Sequence, residues 1–189
     1  MFKKSSIAAI QQQLTQLETL RYDQLNGLLK QLERQKAKIR IEDHAILNWG
    51  IGVVRAKMQD EEQFMREIDD KWERLKQKYS PNAYEEFIQI SGWKSLNLSE
   101  DGDQKRLYEL GWSNLRNILS LCIEEGRIRV DFKSVVNNFK EILRRFCNEK
   151  GSEGLFKKII NQYLDGCNKN NSEELSEYYK ELGKILEKN

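Results

Sequence analysis

The stretch LNWGIGVVRAKMQDEEQFMREIDDKWERLKQKY, residues 47–79, carries the strongest structural signal in the chain. Apolar residues recur along it in alternating steps of four and three. The positions are Leu47, Ile51, Val54, Met58, Glu61, Met65, Ile68, Trp72, Leu75 and Tyr79, of which only Glu61 is polar. Such a heptad seam is typical of a long helix that buries one stripe against a second helix. We therefore predict a long helix here, beginning after Asp43.

A second seam precedes it, between residues 7 and 39. Its steps also alternate between three and four, except that a second consecutive step of four leads from Arg21 to Leu25. Such a stutter locally unwinds a supercoil. Two seams joined by a short connection predict an antiparallel coiled-coil hairpin about 50 Å long, at a rise of 1.5 Å per residue. A single continuous helix and a pairing of the seams between chains remain alternatives.

The remainder of the chain, residues 81–189, predicts a small helical bundle. Ser80 and Pro81 form a helix-start signal, and the chain has no other proline to break a helix. Further helices are predicted at about 103–125, 131–149, 153–166 and 172–188. Arg-Ile-Arg-Val-Asp-Phe at 127–132 alternates briefly, as a strand would. We predict an all-α fold with domains at 1–80 and 81–189, and helical content above about 65%.

Composition excludes several functional classes. The net charge is +2, and hydrophobic residues make up 39% of the chain, enough to build a core. The three cysteines are widely spaced without a CxxC motif, which argues against a disulfide framework and favours a reducing, cytoplasmic environment. The apolar run at 7–10 is too short for a signal peptide, and no stretch approaches a membrane span. We therefore expect no membrane partner.

No catalytic, metal or cofactor site is predicted, so we expect a protein that is not an enzyme. His44 is the only histidine, and no nucleophile lies near it in the sequence. The clustered Cys and His ligands of a zinc site are absent, and no glycine-rich phosphate loop occurs. Adjacent carboxylates such as Glu61 and Glu62 are typical of a solvated helical face. A helical ribonuclease built around Arg40 and His44 is the least favoured hypothesis.

Two charged seam residues and two tryptophans are candidate interaction residues. In the predicted hairpin, Arg21 and Glu61 lie one turn apart at the same level, beside the stutter. A buried or half-buried pair there would fix the register of the hairpin, whereas the stutter could instead turn both charges towards water. Trp49 and Trp93 lie outside the apolar stripes, so each is a candidate exposed contact for a partner.

A basic stripe near the end of the first seam is a candidate nucleic-acid-binding site. It consists of Lys30, Arg34, Lys36, Lys38 and Arg40. Side chains at four-residue spacing can follow a phosphate backbone, although a solvated helical face explains the same pattern. The leading hypothesis is a non-catalytic interaction or scaffold subunit that binds protein partners, or copies of itself, through helical surfaces. The alternative is a helical nucleic-acid-binding subunit that uses the stripe.

Overall fold

The computed structural model describes residues 12, 14–36, 44–169 and 175–188. Of these residues 85% are helical and none lies in a strand, so the predicted all-α class is confirmed. Within the described ranges the helices are α1 (Tyr22–Lys36), α2 (His44–Lys78), α3 (Tyr84–Ile90), α4 (Asp101–Glu125), α5 (Phe132–Glu149), α6 (Glu153–Lys169) and α7 (Ser176–Glu187). The alternating segment at 127–132 is a loop that leads into α5, not a strand.

A proline and two glycines lie at helix boundaries in the second half of the chain. Pro81 opens a short 3-10 turn, and the Ser80 hydroxyl before it accepts a hydrogen bond from the Asn82 N–H. Gly126 and Gly151 follow the ends of α4 and α5 with φ angles of 77° and 67°. These left-handed conformations strain any residue that carries a Cβ, so glycine is the residue that suits them.

The chain divides into two compact units, which we call unit 1 (Met1–Glu67) and unit 2 (Ile68–Asn189). The division falls inside α2, whereas the sequence predicts a boundary at the end of that helix. The reason is that Trp72, near the end of α2, and Tyr79, the residue that follows the helix, are fully buried in the core of unit 2. The apolar residues at the two ends of the seam at 47–79 are therefore buried in two different cores, one in each unit.

In unit 1, α1 and the first part of α2 pack as a short antiparallel pair. Glu33 near the end of α1 bonds to Arg55, and Arg21 just before α1 pairs with Glu61, so the two helices run in opposite directions. The cluster between them consists of Leu17, Leu25, Leu28, Leu32, Leu47, Ile51 and Val54. All seven positions belong to the two predicted seams.

The first helix is shorter than its seam predicts. Residues Leu17–Thr19 form a 3-10 turn, Leu20 is extended, and α1 begins only at Tyr22. The Gln24 side chain accepts a hydrogen bond from the Arg21 N–H at 3.0 Å, which caps a new helix at the stutter. Leu14 then lies beside Gly50 of α2, where a Cβ built on Gly50 would come within 3.3 Å of it. Among the described residues α1 therefore starts afresh at the stutter, and the length of the predicted hairpin, about 50 Å, stays a prediction.

The core of unit 2 is built around large aromatic side chains. Tyr79 from α2 packs edge-on against Phe139 of α5, with ring centroids 5.7 Å apart. Trp93, on the connection after α3, lies 5.1 Å from Phe87 and 5.4 Å from Phe146 between ring centroids. These rings, contributed by three helices and one connection, hold α2, α3 and α5 together.

A buried lysine fixes the end of the chain to this core. Lys140 of α5 is 5% exposed, and its Nζ donates to the carbonyl oxygens of Ile185, Leu186 and Lys188 at 3.0, 3.2 and 2.5 Å. The last carbonyls of a helix have no intrahelical donor, so the ammonium satisfies them and favours the negative end of the helix dipole. All three donors of the Lys140 ammonium are therefore used in these hydrogen bonds, and none is available to a ligand.

Candidate interaction sites

Arg21 and Glu61 form a half-buried ion pair in unit 1. Arg21 Nη1 lies 3.7 Å from Glu61 Oε2, and Lys57 Nζ lies 3.6 Å from the other Glu61 oxygen. The Glu61 side chain is 13% exposed, while the Arg21 side chain reaches in from solvent and is 60% exposed. The arrangement falls between the two interpretations of the sequence. Its role in setting the register of the pair stays a prediction.

The basic stripe is described only in part. Lys30 and Arg34 are exposed on α1 and make no ion pair with any described residue, whereas their neighbour Glu33 pairs with Arg55 at 3.0 Å. Lys36 is partly buried at the end of the same helix. The other two members of the stripe, Lys38 and Arg40, lie outside the described residues.

The two candidate tryptophans have opposite environments. Trp49 is 61% exposed on α2, and Ile46, three residues earlier and 38% exposed, shares its face of the helix. Trp93 is fully buried, so its prediction as an exposed contact is wrong. The positive φ of Gly92 turns the chain at the end of α3, and Trp93 packs there into the aromatic core. Apolar periodicity could not predict this burial, because Trp93 belongs to no helix with a repeating apolar stripe.

The residues considered for chemistry do not assemble into a described site. His44 is the first residue of α2, and Arg40 lies outside the described residues. Among the residues that the structure describes, no group of three or more His, Cys, Asp or Glu side chains is placed to hold a metal ion. The adjacent carboxylates take part in ion pairs, since Glu61 meets Arg21 and Glu62 lies 3.5 Å from Arg66.

The three cysteines are buried in unit 2 as free thiols. Burial raises the pKa of Cys122 and Cys147 to about 11, and that of Cys167 to about 12. A thiol with so high a pKa is almost entirely protonated near neutral pH, and the thiolate is the nucleophile. These cysteines are therefore inert packing residues.

A candidate interaction site that sequence reasoning missed is the loop at residues 126–131, which we call the display loop. Glu125, at the end of α4, has a side chain only 1% exposed, and its Oε1 accepts from Arg127 Nε at 2.7 Å. Arg129 Nη1 reaches the other Glu125 oxygen at 3.7 Å and also bonds to Asp69 of α2 at 2.5 Å. The Arg129 guanidinium lies 5.7 Å from the centroid of the Trp72 ring. The loop is thus anchored through its two arginines.

The residues of this loop differ in exposure. Val130 is completely exposed at 103% and Ile128 is 36% exposed, whereas the Arg129 side chain is only 22% exposed. The Arg127 side chain is 64% exposed and reaches Glu125 from the solvent. The alternation that resembles a strand in the sequence is therefore a loop that turns Arg129 inward and Val130 outward. A glutamate followed by arginines at its second and fourth positions was the available signal. Whether this pattern forms an anchored loop depends on Asp69, which lies 60 residues from Arg129 in the sequence.

Comparison with known proteins provides no relative for this chain, since no protein-family model, curated protein sequence or solved structure matches it. Among the described helices, none combines the length and the apolar character that crossing a bilayer requires.

Proposed function

We propose that this chain is a non-catalytic helical interaction subunit of a larger protein assembly. The supporting observation is the display loop, in which Ile128 and Val130 are exposed beside two arginines that pair with the buried carboxylate of Glu125. Removing a carboxylate such as that of Glu125 from water is unfavourable by several kcal/mol before pairing offsets it. Two arginines and a buried glutamate thus order a short loop that exposes two apolar side chains. This is the arrangement of a protein contact, where preformed apolar anchors bind with little loss of conformational freedom.

The replacement of Ile128 and Val130 by Ser tests this proposal. Each side chain buried in an interface stabilises the complex by about 1–2 kcal/mol, so we expect the double variant to lose binding by about 30- to 1,000-fold. The exposure of Val130 predicts little change in the stability of the free chain, within about 0.5 kcal/mol. The measurement is purification of the tagged full chain from its native host, followed by identification and quantification of stoichiometric partners.

The matched control replaces Glu177 and Lys180 of α7 by Ser, which leaves the net charge unchanged on another exposed surface of unit 2. This control is expected to retain every partner. Recovery of the chain as a monomer without any partner would overturn the proposal. Full retention of the partners by the Ile128→Ser/Val130→Ser double variant would show that the display loop does not bind them.

A helical nucleic-acid-binding subunit is the second candidate, favoured by one observation. Lys30 and Arg34 are solvent-exposed on α1, and no described carboxylate neutralises them. Such cations displace condensed counterions when they contact phosphates, so any binding should weaken steeply as salt rises.

Reversal of Lys30, Arg34 and Lys36 to Glu tests the second candidate. Because the triple variant removes three cations that can contact phosphates and adds three repulsive charges, we expect affinity for RNA or DNA to fall at least about 100-fold at low salt. The salt slope should also become shallower. Fluorescence anisotropy with labelled single- and double-stranded oligonucleotides measures both. The triple reversal of Lys94, Arg106 and Arg116, exposed residues of unit 2, is the charge-matched control. Absence of binding by the unaltered chain at low salt would eliminate this candidate.

A further inference from the structure

A groove of about 520 Å³ lies in unit 2 between the end of α2, the short helix α3 and the middle of α4. Its apolar lining comes from Ala83, Phe87, Ile90 and Leu110. Ile90 is 73% exposed, so the apolar surface continues out of the groove onto its edge. The volume is in the range that admits a bulky side chain or a small ligand.

One side of the groove is formed by Arg74 and Lys78, which are four residues apart on α2. Lys78 Nζ donates to Asn114 Oδ1 at 3.0 Å and lies 5.8 Å from the centroid of the Phe87 ring. Among the described residues, neither Arg74 nor Lys78 has a carboxylate partner. Burial lowers the pKa of Lys78, because its ammonium is partly removed from water without a compensating negative charge. An incoming carboxylate would supply that charge.

The remaining polar residues of the groove suit a polypeptide. The side chains of Gln77 and Ser113 line it and make no hydrogen bond to any described residue, so both can pair with peptide N–H and C=O groups. Glu86 is the one carboxylate among the lining residues, and it forms no ion pair with Arg74 or Lys78. It therefore leaves the two cations available and disfavours a second acid at its own end of the groove.

We infer that this groove binds an acidic segment of a partner protein, which places a large apolar side chain against Phe87 and an Asp or Glu carboxylate against Arg74 and Lys78. The inference rests on the proposed function and adds the chemistry of the partner. A polypeptide is favoured over a small amphiphilic carboxylate, because Gln77 and Ser113 offer hydrogen bonds that an alkyl chain cannot use. The exposed Ile90 also extends the apolar surface beyond the groove itself. The charges fix the orientation of the segment, as complementary charges do at protein interfaces.

A phage-displayed library of random peptides about 12 residues long, selected on the immobilised full chain, tests the inference. We expect enrichment of peptides in which Asp or Glu lies next to Leu, Ile, Phe or Trp. Synthetic versions should bind the Arg74→Gln/Lys78→Gln variant at least about tenfold more weakly, a loss of about 1.4 kcal/mol. The control Lys94→Gln/Arg116→Gln removes the same charge elsewhere in unit 2 and should bind normally. Circular dichroism melting confirms that each variant is folded.

A charge exchange provides the second measurement, which does not depend on a loss of binding. The Arg74→Glu/Lys78→Glu variant should prefer peptides whose acidic residues are replaced by Lys. Enriched peptides without an acid, or binding that is unaffected by either pair of substitutions, would overturn the inference. So would dodecanoate binding that depends on Lys78 in the absence of any enriched peptide. Peptides that depend instead on Ile128 and Val130 would also overturn it, while leaving the proposed function intact.

Discussion

Gly111→Ala is expected to destabilise unit 2 by about 2–4 kcal/mol, even though alanine favours a helix over glycine by about 1 kcal/mol. Gly111 is buried in the middle of α4, and a Cβ built on it would overlap Tyr163 Oη and lie 3.2 Å from the Tyr163 Cζ. Tyr163 is itself fully buried, and its hydroxyl donates to the Tyr108 carbonyl oxygen at 3.3 Å. The ring has no free space to move into, so α4 and α6 must separate. Urea unfolding followed by circular dichroism measures the loss.

Two further variants show whether the clash is the cause. Gly183→Ala, in α7, adds a Cβ that meets only the Cys167 Cβ at 3.8 Å, an ordinary contact, and should be neutral or slightly stabilising. Tyr163→Phe removes the hydroxyl that the added Cβ would overlap. The double variant Gly111→Ala/Tyr163→Phe should therefore recover at least about half of the loss, as a coupled pair in a double-mutant cycle. Additive losses would show that the hydroxyl is not the obstacle.

The helices could be predicted from sequence because periodicity and capping act along the chain. The seam at 47–79 corresponds to α2, and Ser80, Pro81 and Gly126 lie at observed helix boundaries. A seam shows which face of a helix is buried but not which element covers it. The first turns of α2 are covered by α1, whereas Trp72 and Tyr79 are buried in the core of unit 2. The prediction of a hairpin assigns one partner to the whole seam, which periodicity alone cannot establish.

The interaction surfaces were harder to predict, because they depend on contacts between residues far apart in sequence. Trp93 is buried only because α3 and α5 bring Phe87 and Phe146 against it. Trp49 lacks such neighbours and remains exposed. The sequence of the display loop alternates as that of a strand does. Only the contact of Arg129 with Asp69 of α2 shows that the segment is an anchored loop. Periodicity along one segment cannot distinguish these cases, since it carries no information on what packs against that segment.

Raising the pH from 8.5 to 11 is expected to destabilise unit 2 by several kcal/mol, because Cys122, Cys147 and Cys167 are buried there as neutral thiols. Their pKa values are raised from 9.0 to about 11, 11 and 12, mainly by burial. In the unfolded chain the thiols lose their protons near pH 9, while the folded chain keeps them. The stabilisation is therefore fully present below pH 9 and is lost as the pH rises towards 11–12. Each thiol contributes up to about 1.4 kcal/mol per pH unit, so three contribute up to about 4.

Other buried groups modify this profile above pH 10 without reversing it. Burial raises the pKa of Tyr79, Tyr84 and Tyr163, and their stabilisation is lost in the same direction once the unfolded tyrosines ionise near pH 10. Burial lowers the pKa of Lys78 and Lys140, so these two lysines lose their protons in the folded chain at a lower pH than in the unfolded chain, and below pH 10.5 they act in the opposite direction to the thiols. Between pH 9 and 10 the thiols therefore dominate the slope.

The slope of stability against pH separates this effect from a general loss of packing. Urea unfolding of the full chain, followed by circular dichroism at half-unit steps from pH 7.5 to 11, gives the free energy of unfolding at each pH. Cys147→Ala leaves a cavity and lowers stability at every pH, but it also removes one titrating thiol. Its slope between pH 9 and 10, where the unfolded thiols are partly ionised, should fall by about a third, from about 3 to about 2 kcal/mol per pH unit. A slope that Cys147→Ala leaves unchanged, or a stability that stays constant up to pH 11, would show that the buried thiols do not control the alkaline limit. At pH 7.5 the difference in the free energy of unfolding between Cys147→Ala and the unaltered chain then measures the packing of Cys147 against its neighbours, independently of its charge.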